Sequence, residues 1–143
     1  MYIIDASVYA PLIITYGKDL IEKLRKIRPI ILDLTLYEIC NAFWKEHIKL
    51  HKISKEEAII ACSASKALSR YITLYSIIDL DIDKVMKMAI ENDITFYDAS
   101  YIALAHKLKT SIASEDHDII TVAPKYNIRV IRLNELINIL EQT

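Results

Sequence analysis

Short β-branched runs alternate with longer stretches of helical periodicity along almost the whole chain, and few folds accommodate that alternation. Tyr2-Ile3-Ile4, Ile30-Ile31-Leu32, Ser111-Ile112-Ala113 and Arg129 to Leu133 read as strands. They are apolar without polar alternation, the signature of strands buried on both faces. Between them lie helical segments. Lys18 to Lys26 places Leu20, Ile21, Leu24 and Ile27 at helical spacing and stops before Pro29. Thr35 is placed to cap a helix reaching about His51. Ser54-Lys55-Glu56-Glu57 is a capping box opening a helix to about Arg70. Asp81 or Asp83 begins a helix to about Glu91, Asp98 to Lys109 forms the next, and Asn134 caps a terminal one. Ile72 to Ile78 fits either a strand or an extended connection. Strands alternating with helices predict an α/β fold, a three-layer α/β/α sandwich around a central parallel sheet.

The 143 residues suit one domain, 1–143, with no repeat, linker or low-complexity break. Apolar residues make up 53% of the chain, 27 of them Ile, against a single glycine, Gly17. That balance excludes disorder and the turn-rich sandwiches and barrels. The net charge of −1 supplies no global attraction to nucleic acid, so any such attraction is local. No apolar run approaches the roughly 18 residues of a membrane span. Met-Tyr-Ile-Ile-Asp lacks the basic start of a signal peptide, so a cytoplasmic protein is expected. Cys40 and Cys62 have no CxxC spacing and read as reduced core residues of an intracellular chain.

Four acids stand at junctions between these elements. Asp5 ends the first strand, Glu38 lies one turn into the helix from Thr35, Asp98 opens its helix, and Asp116 follows the third strand. In one parallel sheet they converge at its carboxyl edge, where open α/β folds bind their ligands. Converging carboxylates repel unless protonated or bridged by a cation. An oxygen-only donor set suits Mg²⁺ or Mn²⁺. Singly, Asp5 and Asp98 are explained as helix caps. Glu38 is harder to dismiss, because Leu36, Tyr37, Ile39, Cys40, Ala42, Phe43 and Trp44 make its surroundings apolar. Asp33, Asp79, Asp81, Asp83 and Asp93 lack such a context.

His47 and His51 have a zinc-compatible spacing but no third ligand. Lys45, Lys49, Lys52 and Lys55 have two readings: contacts to RNA phosphates, or cations favoured at a helix C-terminus. The nine tyrosines read as core and interface residues rather than base-stacking platforms.

Ile-Ile-Asp-Ala-Ser (3–7), Tyr-Glu-Ile-Cys-Asn-Ala-Phe-Trp-Lys (37–45), Thr-Phe-Tyr-Asp-Ala-Ser-Tyr-Ile-Ala-Leu-Ala (95–105) and Ile-Ala-Ser-Glu-Asp (112–116) resemble, in order, the pieces of a PIN domain. The closest match is to the VapC-type toxin ribonucleases of prokaryotic toxin–antitoxin pairs. The resemblance implies Mg²⁺- or Mn²⁺-dependent endoribonuclease activity on RNA, a small antitoxin partner and a homodimer. It assigns the catalytic and metal-binding roles to Asp5, Glu38, Asp98 and Asp116, with Asp5 and Asp98 as leading ligands. The Ser/Thr-x-Asp spacing through Ser114 selects Asp116 over Asp118. Ser7 and Ser114 are candidates either to support the metal-holding acids or to contact substrate phosphate, and Asn41, in the Glu-x-x-Asn position, is a further candidate substrate contact. Three alternatives stand beside this reading: a PIN nuclease of RNA processing or decay outside a toxin pair, a non-catalytic α/β binding module such as a phosphoacceptor module, and a degenerate PIN scaffold. The phosphoacceptor module usually has an acid pair after strand one, whereas Ala6-Ser7 follows Asp5 here.

Overall fold

The computed structural model describes residues 1–142. Five strands, β1 (Tyr2–Ile4), β2 (Pro29–Leu32), β3 (Thr73–Tyr75), β4 (Ser111–Ala113) and β5 (Val130–Ile131), form one sheet of order β3-β2-β1-β4-β5. Every pairing is parallel. The helices are α1 (Ala6–Tyr16), α2 (Leu20–Arg25), α3 (Asp33–Ile48), α4 (Lys55–Ser69), α5 (Ile82–Asn92), α6 (Phe96–Leu108), α7 (His117–Val122) and α8 (Leu133–Gln142). Successive strand residues point to opposite faces, and the sheet uses both. Ile4, Ile31, Ala113 and Ile131 join Leu12, Ile39, Phe43 and Leu136 on the side of α1–α4 and α8. Ile3, Ile30 and Ile112 join Val85, Ile102 and Ile119 on the side of α5, α6 and α7. The predicted three-layer α/β/α sandwich is therefore the observed one. No helix among the described residues is long and apolar enough to cross a membrane.

The chain builds outward from β1 to β2 and β3, then returns to lay β4 on the other flank of β1. Connections leaving β1 and β4 diverge, which opens a crevice at their carboxyl ends. Asp5 and Ser114 stand at that crevice.

Several boundaries differ from the sequence reading. Ile72 to Ile78 contains β3, an edge strand whose Thr73 and Leu74 are exposed; that exposure is why its pattern was ambiguous. The helix expected to start at Thr35 starts at Asp33, and the Thr35 hydroxyl reaches back to accept from the Leu32 N–H at 3.2 Å. Asn134 is not the terminal cap. The helix begins at Leu133, whose N–H donates to Glu115 Oε1 at 2.8 Å. The capping box at Ser54 and Glu57 forms as read.

The cysteines correct the sequence reading outright. Cys40 and Cys62 are disulfide-bonded, with Cα atoms 5.0 Å apart, and both are half-buried. Their positions in two helices share no motif, and only the packing of α3 on α4 brings them together. The bridge closes a loop with a sequence separation of 22. Chain-entropy arguments give such a loop about 3 kcal/mol of stabilisation. Reduction, or Cys40→Ala with Cys62→Ala, should lower the melting temperature by roughly 10 °C for a chain of this size. A melt unchanged by dithiothreitol would show that the bridge adds nothing.

Candidate active site

Asp5 follows β1 and is the N-cap of α1. It is 4% exposed, and three donors hold its carboxylate. Oδ1 accepts from the Ser7 hydroxyl at 2.6 Å and the Val8 N–H at 3.2 Å; Oδ2 accepts from the Ser114 hydroxyl. Both serines do double duty. Ser7 Oγ accepts from the Glu115 N–H at 2.9 Å, and Ser114 Oγ accepts from the Asp116 N–H at 2.9 Å. The ends of β1 and β4 are thereby tied around one carboxyl. Burial, with a smaller contribution from the Glu38 charge, raises the Asp5 pKa to about 6 despite those donors.

Glu38 extends from α3 into the same crevice. Its Oε1 accepts from the Tyr101 hydroxyl at 2.6 Å. Tyr101 is 1% exposed, and its oxygen lies 2.8 Å from Thr35 Oγ1. Donors and acceptors fall in one consistent chain: Leu32 N–H to Thr35, Thr35 to Tyr101, Tyr101 to Glu38. Burial and the Glu38 carboxylate hold the Tyr101 phenol protonated well above its ordinary range. Glu38 itself is raised by desolvation and by the charges of Asp98 and Asp116, against the lowering effect of the Tyr101 bond.

Asp98 is not the cap of its helix. Thr95 takes that place, accepting from the Asp98 N–H at 3.1 Å. Desolvation raises the Asp98 pKa, and the Asp116 and Asp118 charges add to it. Asp116 is the N-cap of α7, its Oδ1 accepting from the N–H groups of Asp118 and Ile119. Carboxylate oxygens of Asp98, Asp116 and Asp118 lie within 4.8 Å of one another. Asp118, set aside in the sequence reading, thus belongs to the cluster. Among the described residues, none of Asp5, Glu38, Asp98, Asp116 or Asp118 has an ion-pair partner. Glu115 is turned away: it pairs with Arg132, and that bond keeps its pKa low.

Of the four acids singled out from sequence, Asp98 and Asp116 cluster with Asp118, Glu38 feels the charges of Asp98 and Asp116, and Asp5 feels that of Glu38. Ser114 has no exposed surface and Ser7 is bound to Asp5, so both orient that carboxyl; Asn41 is exposed about one turn beyond Glu38. Tyr101 and Thr35 were missed. Their one signal is that Tyr101 lies three residues after Asp98, on the same helix face. His47 is engaged elsewhere, its Nδ1 2.9 Å from the Ile53 carbonyl oxygen.

An unpaired cluster of carboxylates with only oxygen donors, in which burial and neighbouring charge raise Asp98 and the adjacent Glu38, fits a hard divalent cation. Asp98, Asp116 and Asp118 are placed to hold it, with Glu38 beside them.

No protein-family model matches the chain. Exonuclease VapC9 of Pyrobaculum aerophilum is 32% identical over 120 residues, 83% of this chain and 83% of that protein. The crystal structure of PAE2754 from Pyrobaculum aerophilum superposes with a TM-score of 0.76 at 28% identity, covering 99% of this chain and 90% of that one.

Proposed function

This chain belongs to the VapC family of PIN-domain proteins, and from that premise we propose that it is a Mg²⁺- or Mn²⁺-dependent endoribonuclease, the toxin of a toxin–antitoxin pair. The observation that carries the reading is the unpaired convergence of Asp98, Asp116 and Asp118 beside Glu38. A divalent ion bound there would neutralise the scissile phosphate and lower the pKa of an attacking water. The chain's own groups do the positioning. Thr95 caps α6 and leaves the Asp98 carboxylate available. Asp116 gives one oxygen to α7 and keeps the other. Tyr101 fixes the Glu38 rotamer, and Ser7 and Ser114 fix Asp5 at the base of the crevice.

Tyr101→Phe removes the donor to Glu38 while keeping the ring. Such orienting partners typically account for 10- to 100-fold in metal affinity or activity. The variant is expected to lose about that much cleavage, with most of the loss recovered at high Mn²⁺. Cleavage unchanged at limiting metal would remove Tyr101 from the site.

The direct test of the function is cleavage of single-stranded RNA with Mn²⁺ against EDTA. The Pyrobaculum relative's name states exonuclease action; internal cleavage here rests on the resemblance to the toxin ribonucleases. A circular RNA separates the two, since only an endonuclease opens it.

Apolar surface supports the proposed protein partners. Ile82, Met86 and Ile90 form an exposed stripe along α5, beside Ile77 and Ile78, the latter 91% exposed. Such a patch suits a second copy of the chain. Light scattering at micromolar concentration should give a dimer mass, and a monomer mass would count against it. Ile13, Ile14, Ile21, Ile60 and Tyr71 line a separate groove between α1 and α4, which suits a small antitoxin.

A further inference from the structure

The exposed face of α3 carries a pattern that the catalytic cluster does not use. At 3.6 residues per turn, positions three, seven and eleven after Glu38 share its side of the helix. They are Asn41, Lys45 and Lys49, all exposed. Along the border of this face lie Tyr37, 79% exposed, and Trp44, 48% exposed. Lys49 Nζ stands 5.8 Å from the centre of the Trp44 ring. Among the described residues no ion pair engages Lys45 or Lys49. Glu38 is the acid at the start of the face; Glu46, three residues before Lys49, flanks its far edge and forms no ion pair with either lysine. From Tyr37 to Lys49 the face runs about 18 Å.

Resting on the nuclease reading above, we propose that this face is the track along which single-stranded RNA reaches the acid cluster. Lys45 and Lys49 bind phosphates, and Tyr37 and Trp44 stack bases. Cations interleaved with exposed aromatic rings are the arrangement that binds single strands without reading their sequence. The chain's net charge of −1 gives no general attraction, so the strand needs a local one. The face is continuous with the cluster through Glu38, and its charge complements a polyanion. An apolar partner would leave both lysines unpaired against it.

Trp44 is the chain's one tryptophan, so fluorescence excited selectively at tryptophan, beyond the absorption of the nine tyrosines, reports this face. Asp98→Asn protein in Mg²⁺ is titrated with dodecamer oligouridylate. Saturable quenching is expected, with affinity falling steeply as salt rises. In the same background, Lys45→Gln with Lys49→Gln should flatten the salt slope by about 1.4, because each phosphate neutralised on a single strand adds roughly 0.7 to it. In the otherwise wild-type enzyme, Trp44→Ala should raise KM for RNA about 10- to 100-fold with kcat nearly unchanged, and Trp44→Phe should restore it. Quenching absent and slope unaltered, while wild-type protein cleaves RNA, would overturn the track and leave the nuclease reading standing. Failure of wild-type protein to cleave RNA with either metal would overturn that reading instead. A Trp44 blue shift that depends on protein concentration alone and disappears on dilution would show the face covered by a second copy, and would also overturn the track.

Discussion

Asp98→Asn should lower RNA cleavage by on the order of 10²–10³-fold while leaving the protein folded. The substitution preserves shape, and the hydrogen bond that starts α6 is made by the Asp98 N–H, which the change does not touch. What it removes is one charge from a cluster that Asp116 and Asp118 share. The metal-free variant should melt slightly above wild type, because repulsion is relieved. Asp5→Asn should also abolish cleavage, at a cost in stability. Its Oδ2 is an acceptor for the buried Ser114 hydroxyl, and an amide nitrogen there leaves that donor unsatisfied. An unmade buried hydrogen bond costs about 1–3 kcal/mol. Asp118→Asn should lose activity comparably to Asp98→Asn, because Asp118 stands inside the cluster. Asp116→Asn is the matched comparison, since Asn retains the capping oxygen that Ala would remove. Wild-type cleavage in folded Asp98→Asn would sink the site. Wild-type cleavage in Asp118→Asn would return the fourth position to Asp116 alone.

The layers and the parallel sheet could be read because the apolar pattern is local; the strand order could not. Ile3 and Ile4 announce a strand buried on both faces, and the helical spacing around Leu20 to Ile27 announces a covering helix. The acids were legible for a related reason: Asp5 and Asp116 directly follow strands, and a parallel sheet brings strand ends together. Residues whose role depends on tertiary contact were not legible. Tyr101 looks like any core tyrosine until the fold sets α6 and α3 on opposite faces of the sheet and its hydroxyl reaches Glu38 at the carboxyl edge. Cys40 and Cys62 look like two core cysteines until the α3–α4 crossing sets them opposite each other. Asp118 and Glu115 both flank Asp116 in sequence, and only the fold separates them, sending one to the cluster and the other to Arg132. With one glycine available, three left-handed helix ends fall to Asp93, Lys109 and Asn127. The usual glycine signal for helix ends is therefore missing, which blurred the boundaries.

Metal should invert the response of this protein to pH. The Asp5 pKa rises from 3.8 to about 6 on folding, and those of Glu38 and Asp98 rise as well. Between the unfolded and folded values the native state binds more protons than the unfolded one, so stability falls as pH rises through that window. Metal-free protein should therefore melt at a lower temperature at pH 7.5 than at pH 5. Glu115 and Glu141 are shifted the other way, so their effects lie below their ordinary value of 4.5, beneath the two pH values compared. A divalent ion binds the ionised carboxylates and so competes with the protons. At pH 7.5 and 100 times its Kd it adds about 2.7 kcal/mol, roughly 8 °C at this size. At pH 5 the same concentration should add less, because protons compete with the ion for the Glu38 and Asp98 carboxylates, both shifted upward. The measurement is a pair of melts, with Mg²⁺ and with EDTA, at each pH. Taking the difference at each pH cancels every titration that metal does not touch. The shift at pH 7.5 should vanish in Asp98→Asn. A metal shift of equal size at both pH values, or one retained in Asp98→Asn, would place the bound ion away from these carboxylates.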